Sequence, residues 1–141
     1  VDLDKCPCSG KHLAKLLRPA LLALLARSDS HGYALVQDLG EWGLFANHSP
    51  DSSGVYRSLR ELEKEEMVLS IWQAAENGPP RRIFTITDQG RECLEKWRSS
   101  LLSYQEQIEH LRAMIEKSTP GKPKTKGGRG SGAKRKDRPS A

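Results

Sequence analysis

The chain has 141 residues, 36% hydrophobic and only 6% aromatic, which allows one modest core with appendages and excludes a large one. Its formal charge of +5 is uneven: eight basic residues against Asp137 alone give residues 118–141 a charge of +7, which leaves −2 for residues 1–117 and excludes nucleic-acid binding by bulk charge in that part. Three cysteines, Cys6, Cys8 and Cys93, are too few and too odd in number for a secreted disulfide scaffold, and the longest apolar run, near residues 20–26, is too short for a membrane span; a cytoplasmic protein without membrane contact is expected.

Residues 1–11 read as a polar lead-in. A helix is predicted from near Lys11, with Leu13, Leu16, Leu17, Leu21, Leu24 and Leu25 on one broad stripe. Pro19 inside that stripe either kinks the helix or marks a new start from its first turn. Ser28, Asp29 and Ser30 end it and cap a second helix over 31–42, where Tyr33, Leu35, Val36 and Leu39 are the buried candidates and Gly40 and Gly43 the stop signals. A loop follows. A third helix is predicted over about 51–66, with Val55, Leu59, Leu62 and Met67 toward the core. The period then changes to that of a strand, with Val68, Ser70 and Trp72 alternating against Leu69, Ile71 and Gln73. Residues 76–80 form a turn, and Arg82–Ile86 the return strand. Trp72 is expected to be half-buried.

Thr87 or Asp88 caps a last helix that holds the strongest periodic signal. Leu94, Trp97, Leu101, Tyr104, Ile108, Leu111 and Ile115 alternate spacings of three and four, an unbroken heptad seam. Residues 91–117 contain no Gly or Pro, so the helix is about 40 Å long at ~1.5 Å per residue. A stripe of that length outruns so small a domain, and pairing with a second copy is the expected use. From Thr119 on, Pro, Gly, Lys and Arg dominate, and a disordered basic tail is expected. The division is then a lead-in (1–11), a DNA-binding domain (12–88), a dimerisation helix (89–117) and a tail (118–141). The class is mainly α with a small β-hairpin (α+β): a winged helix-turn-helix with a long C-terminal dimerisation helix.

The segment from Ser53 to Glu65, Ser-Gly-Val-Tyr-Arg-Ser-Leu-Arg-Glu-Leu-Glu-Lys-Glu, resembles the recognition helix of PadR-type regulators. The wing Asn77–Phe84, the following Thr85–Gly90 and His31-Gly32-Tyr33 also match that family, in the right order, over roughly residues 15–110. The resemblance implies a dimeric repressor, often answering to a small ligand, that uses Ser53, Tyr56 and the Pro79–Arg82 wing on DNA. The Cys6-Pro7-Cys8 lead-in and the basic tail fall outside the common pattern.

The residue chemistry points the same way. Arg57 and Arg60 are three apart beside Tyr56, and arginines fork onto guanine or grip phosphate. Ser52 and Ser53 at the helix start offer hydroxyls and backbone N–H groups to phosphate. Arg81 and Arg82 sit at the wing and point to opposite faces. The competing reading is a solvated face in which Arg57 pairs with Glu61 and Arg60 with Glu63. The crowded glutamates 61, 63, 65 and 66 would repel phosphate and confine groove entry to the N-terminal half of the helix. Trp97 on the seam is a candidate wall for a planar effector, with core packing the favoured alternative. Cys6, Cys8 and His12 are the candidates for a metal or redox sensor, though Cys-x-Cys with one His is incomplete. No catalytic motif is present and no cofactor is expected. The expected function is therefore a DNA-binding, ligand-responsive repressor that reads a pseudo-palindromic operator in double-stranded DNA as a homodimer. The alternatives are a metal or redox sensor acting through Cys6 and Cys8, and a sequence-tolerant architectural DNA-binding protein.

Overall fold

The computed structural model describes residues 15–43, 45 and 50–118, with positions 2, 5 and 8 of the lead-in. Helix α1 is Leu17–Arg27, strand β1 Ser30–His31, α2 Gly32–Trp42, α3 Ser52–Lys64, β2 Val68–Gln73, β3 Arg81–Ile86 and α4 Asp88–Lys117. The helix start predicted near Lys11, the candidates Cys6 and His12, and the tail from Thr119 lie outside the described residues. The chain divides into two compact units, Val1–Ser100 and Leu101–Ala141.

Helix α1 begins at Leu17, so Pro19 stands in its first turn, where a missing N–H costs nothing. It is apolar on nearly every side. Leu21 and Leu22 are fully buried, as is Leu25, and such a helix belongs at the centre of a core. Around it pack Leu35 and Leu39 of α2, Val55, Leu59 and Leu62 of α3, Val68 of β2, Phe84 and Ile86 of β3, and Phe45 from the loop. Each fully buried leucine contributes about 1.5–3 kcal/mol. No polar or charged residue is buried among the described residues.

Three expectations for this part of the chain need correction. Residues 28–30 do not simply end one helix and cap the next. Ser30 and His31 form β1, paired antiparallel with Phe84 and Ile83, and the cap of α2 is His31, whose Nδ1 accepts the Ala34 N–H at 3.3 Å. Helix α2 also runs through Gly40, and Gly43, in the left-handed region at φ 71°, terminates it. Tyr33 is not buried but 60% exposed, because the core reaches only Leu35 and Leu39 on that helix.

Helix α3 is capped by Asp51, whose carboxylate accepts the Gly54 N–H at 2.8 Å, a contact worth about 1 kcal/mol. Its far end turns in a Schellman motif: Met67 N–H donates to Leu62 O at 2.8 Å and Glu66 N–H to Glu63 O at 3.0 Å. Glu66 takes the left-handed position usually given to glycine, at φ 64°. That tight reversal delivers the chain straight into β2.

The sheet order is β1-β3-β2, all antiparallel, with Val68 opposite Ile86 and Gln73 opposite Arg81. Only Val68 of β2 is buried. Beyond the Ser70–Phe84 pair the hairpin leaves the core, so Trp72 is 68% exposed rather than half-buried. Thr87 starts α4: its hydroxyl accepts the Gly90 N–H at 2.9 Å and donates to the Glu66 and Met67 carbonyls. The element order and pairing make a winged helix-turn-helix followed by a helix of 30 residues.

Along α4, Leu94, Trp97 and Leu101 are half-buried. Tyr104, Ile108, Leu111 and Ile115 are all about half exposed or more, as are Leu102 and Met114. The other faces carry ion pairs: Arg98 with Glu95, and Arg112 with Glu109 and Glu116. These hydrogen-bonded carboxylates raise the pKa of both guanidinium groups above the ordinary arginine value.

Candidate nucleic-acid interface

Burial of Val55, Leu59 and Leu62 fixes which side of α3 faces outward. Ser52, Ser53, Tyr56, Arg57 and Arg60 are all exposed on it. Positions 53, 56, 57 and 60 fall at helical spacing and share one surface. The Tyr56 ring leans across Gly32 at the start of α2. A Cβ on Gly32 would sit 2.3 Å from Tyr56 Cε1, so the missing side chain is what lets the ring lie there. The glycine of His31-Gly32-Tyr33 thus has a packing reason.

Between the starts of α2 and α3 and the β2–β3 hairpin lies an open cleft of about 670 Å³. Tyr33, Tyr56, Trp72 and Pro80 give it flat apolar walls, and Arg60, Arg81 and Arg82 bring three cations to it. Of the predicted site residues, the structure therefore brings Tyr56, Arg60, Arg81 and Arg82 together. Arg57 stands exposed on the same helix, outside the cleft lining. Ser52 and Ser53 stand at its N-terminus, where one backbone donor, that of Gly54, is already taken by Asp51. Tyr33 and Trp72 line the cleft too. Tyr33 was expected in the core and Trp72 half-buried, and no sequence signal marked either for the cleft.

The charges are sorted in a way spacing alone did not give. Arg57, Arg60 and Arg81 have no ion pair among the described residues. The Arg57–Glu61 and Arg60–Glu63 pairs of the competing reading do not form among the described residues. Glu61 and Glu65 turn instead toward Arg18 of α1, at 4.0 and 2.6 Å. Glu63 is held by Arg82 at 2.8 Å. Three of the four distal glutamates are thus engaged by cations on the far side of the helix or at the wing. The two wing arginines differ, as strand alternation requires: Arg81 is exposed, whereas Arg82 is partly buried beside Trp72 and Phe84, its guanidinium carbon 6.0 and 5.6 Å from their ring centres.

Trp97 is half-buried, and Cys93 packs at the edge of the core. Among the described residues no group of three His, Cys, Asp or Glu side chains is placed to hold a metal ion. None of the described helices is long and apolar enough to cross a membrane.

Comparison with known proteins places this architecture. The model of the transcriptional regulator PadR-like family matches residues 21–96, from within α1 to the first turns of α4. The transcriptional regulator YqjI of Escherichia coli is 33% identical over 92 residues, covering 65% of this chain and 42% of that protein. The chain thus matches about two fifths of the length of that relative. Among solved structures, a PadR family regulator from Eggerthella lenta superposes with a TM-score of 0.65 at 23% identity, covering 74% of this chain and 88% of the other. A PadR-like regulator from Bacillus cereus gives 0.62 at 26%, covering 72% and 95%. Bacillus subtilis PadR, solved in complex with operator DNA, gives 0.53 at 24%, covering 58% and 46%. With more than half of its length matched in one continuous stretch, the chain belongs to the PadR-like family of transcriptional regulators.

Proposed function

We propose that two copies of this chain bind one DNA duplex and repress transcription from it, with α3 in the major groove and the β2–β3 hairpin against the neighbouring backbone. One observation carries this reading: near the exposed Tyr56, Arg57, Arg60 and Arg81 have no ion pair among the described residues, while Glu61, Glu63 and Glu65 are drawn off by Arg18 and Arg82. A helix face so arranged offers positive charge and hydrogen-bond donors within residues 1–117, a stretch that is slightly acidic overall. The PadR–operator complex supports the same geometry by analogy of fold. In this reading residues 12–88 are the DNA-binding domain and 89–117 the dimerisation helix. Ser52 and Ser53 supply hydroxyls to phosphate, and the tail adds a sequence-independent attraction through its charge of +7. The exposed seam on α4 supports pairing of two copies, and the pair reads a pseudo-palindrome. A small-molecule effector that stacks on Trp97 between the copies would set the response. The protein acts as a regulator, not an enzyme, and the reading places it in the cytoplasm.

Arg57→Ala tests the base-reading role. On a duplex selected from a random pool by the full chain, affinity should fall by ~1–3 kcal/mol, with relaxed preference at one position of each half-site. Unchanged affinity removes Arg57 from the interface.

Gly32→Ala tests how Tyr56 is held. The three atoms nearest the added methyl all belong to the far end of the exposed Tyr56 side chain, which can turn away, so the melting transition should move by less than about 1 kcal/mol in stability. The ring must swing out of its seat, and affinity for the selected duplex should fall roughly as far as in Tyr56→Ala, by ~1 kcal/mol or more. Full affinity in Gly32→Ala would show that the seat of Tyr56 is irrelevant to binding.

A further inference from the structure

The partly buried network at the root of the wing is absorbed by neither the core nor the exposed cation face. Arg82 Nε donates to Ser70 Oγ at 2.8 Å, and its Nη2 donates to Glu63 Oε1 at 2.8 Å. Ser70 Oγ in turn donates to Glu63 Oε2 at 2.7 Å. The three side chains close a ring of hydrogen bonds that joins α3, β2 and β3. The guanidinium is also wedged between the Trp72 and Phe84 rings.

Each component has a reason. Glu63 sits one turn beyond Arg60, on the flank of α3 next to the hairpin. Ser70 faces Phe84 across the ladder and Arg82 faces Trp72, so the hairpin register brings Ser70 and Arg82 to one side of the sheet. A guanidinium presents several donors in one plane, which a lysine cannot do, and both the carboxylate and the hydroxyl find a donor there. Beyond Val68 nothing apolar in β2 is buried, and Phe84, opposite Ser70, is the last residue of β3 toward the turn to reach the core. From the Trp72–Arg82 pair outward the hairpin has no buried apolar residue, and the polar ring ties this stretch to α3.

We propose that Glu63, Ser70 and Arg82 form a latch that sets the distance and angle between the recognition helix and the wing, and that Arg82 is a positioning residue for sequence discrimination, not a phosphate contact. The inference rests on the DNA-binding reading above. It follows from where the charge of Arg82 is spent. A guanidinium neutralised by Glu63 releases few counterions from DNA, whereas exposed Arg81 on the same hairpin remains available to do so. A fixed helix-to-wing spacing makes the two reading elements meet one groove geometry and rejects duplexes of another shape.

The test uses the full chain on the selected duplex and on a scrambled duplex of equal length, over a range of salt concentrations. For Glu63→Gln the latch predicts about tenfold weaker binding to the selected duplex and unchanged or tighter binding to the scrambled one. A freed phosphate contact would predict tighter binding to both. For Arg82→Gln the latch predicts a similar loss of discrimination with an unchanged slope of log K against log salt. A phosphate contact predicts a slope lower by about one per copy and preserved discrimination. The double variant should be no worse than Arg82→Gln alone, because both changes open the same ring. In the free protein, Glu63→Gln should also speed amide exchange in residues 70–82, a readout independent of DNA. A lowered slope in Arg82→Gln, or unchanged exchange in Glu63→Gln, overturns the latch while leaving DNA binding standing. Failure of the full chain to enrich any duplex overturns the DNA reading itself, and a faster-exchanging hairpin would then show the latch to be structural only.

Discussion

Ile108→Glu should turn a dimer into monomers and lower affinity for the selected duplex by about 10²-fold. Ile108 is 65% exposed in the single chain, so the new carboxylate stays in water there, with Arg112 one turn on as its charged helical neighbour, and the fold of one copy should be untouched. The cost arises only if a second helix lies against it. There the charge would be desolvated at an apolar seam with only Arg112, already engaged by Glu109 and Glu116, within reach, which costs several kcal/mol. That exceeds what the remaining contacts of a short seam can offset. The loss on DNA follows from the loss of linkage: paired reading heads bind the second half-site at high effective concentration, and separating them forfeits roughly 10²–10⁴ of avidity. Light scattering gives the mass directly. Glu106→Lys, on the opposite side of the heptad, should leave the mass unchanged. If Ile108→Glu stays dimeric, the seam does not pair.

Gly90→Ala should destabilise the protein by ~3 kcal/mol or more and lower its melting temperature by roughly 10 °C or more. At an open helical position the same change would stabilise by up to about 1 kcal/mol, because alanine is the better helix former. Here the methyl carbon would lie 2.1 Å from the Met67 carbonyl oxygen and 2.8 Å from Ile86 Cγ1. That oxygen is fixed twice over, as acceptor for the Thr87 N–H at 3.0 Å and for the Thr87 hydroxyl at 3.0 Å. Backbone so held cannot retreat by more than an ångström without breaking the cap of α4, so the clash outweighs the propensity gain. Gly40→Ala supplies the contrast: nothing lies within 4 Å of its added carbon, and α2 should gain about 0.5–1 kcal/mol. Thermal melts of the two variants should move in opposite directions. A stabilised Gly90→Ala would mean that α4 does not dock on the Met67 turn.

Most of the scaffold was readable because it rests on period. The apolar spacing of Val55, Leu59 and Leu62 defines α3, the change to alternation at Val68 defines the hairpin, and the seam from Leu94 to Ile115 defines α4. What period could not give was the extent of the core. Tyr33 and Trp72 fit the expectation that aromatic residues lie inside, yet they stand where α2 and the hairpin extend past the last buried layer. A strand as short as Ser30–His31 has no period to detect and exists only because β3 offers it an edge. The Schellman turn at Glu66 was hidden because a glutamate occupies the position where glycine would have announced it.

The candidate site was legible in its membership more than in its wiring. Tyr56, Arg57 and Arg60 could be assigned to one face from helical spacing alone, and Arg81 and Arg82 to opposite faces from strand alternation. Their partners could not. Glu63 and Arg82 are 19 residues apart, and their meeting depends on the hairpin register and on the close turn at Glu66. Arg18 and Glu65 are 47 apart, and their meeting depends on how α1 packs on α3. Local rules proposed Glu61 for Arg57, and tertiary packing claimed that glutamate for Arg18 instead. Three of the four glutamates that would close the distal half of α3 to phosphate are thereby engaged by Arg18 and Arg82, whereas Arg57, Arg60 and Arg81 have no ion pair among the described residues.

The most direct test is sedimentation of the full chain with the selected duplex, followed by footprinting of the complex. Two chains should travel with each duplex and protect two inverted half-sites about 34 Å apart, one helical turn of DNA. One chain per duplex with a single protected site, or equal binding to every duplex offered, would contradict it.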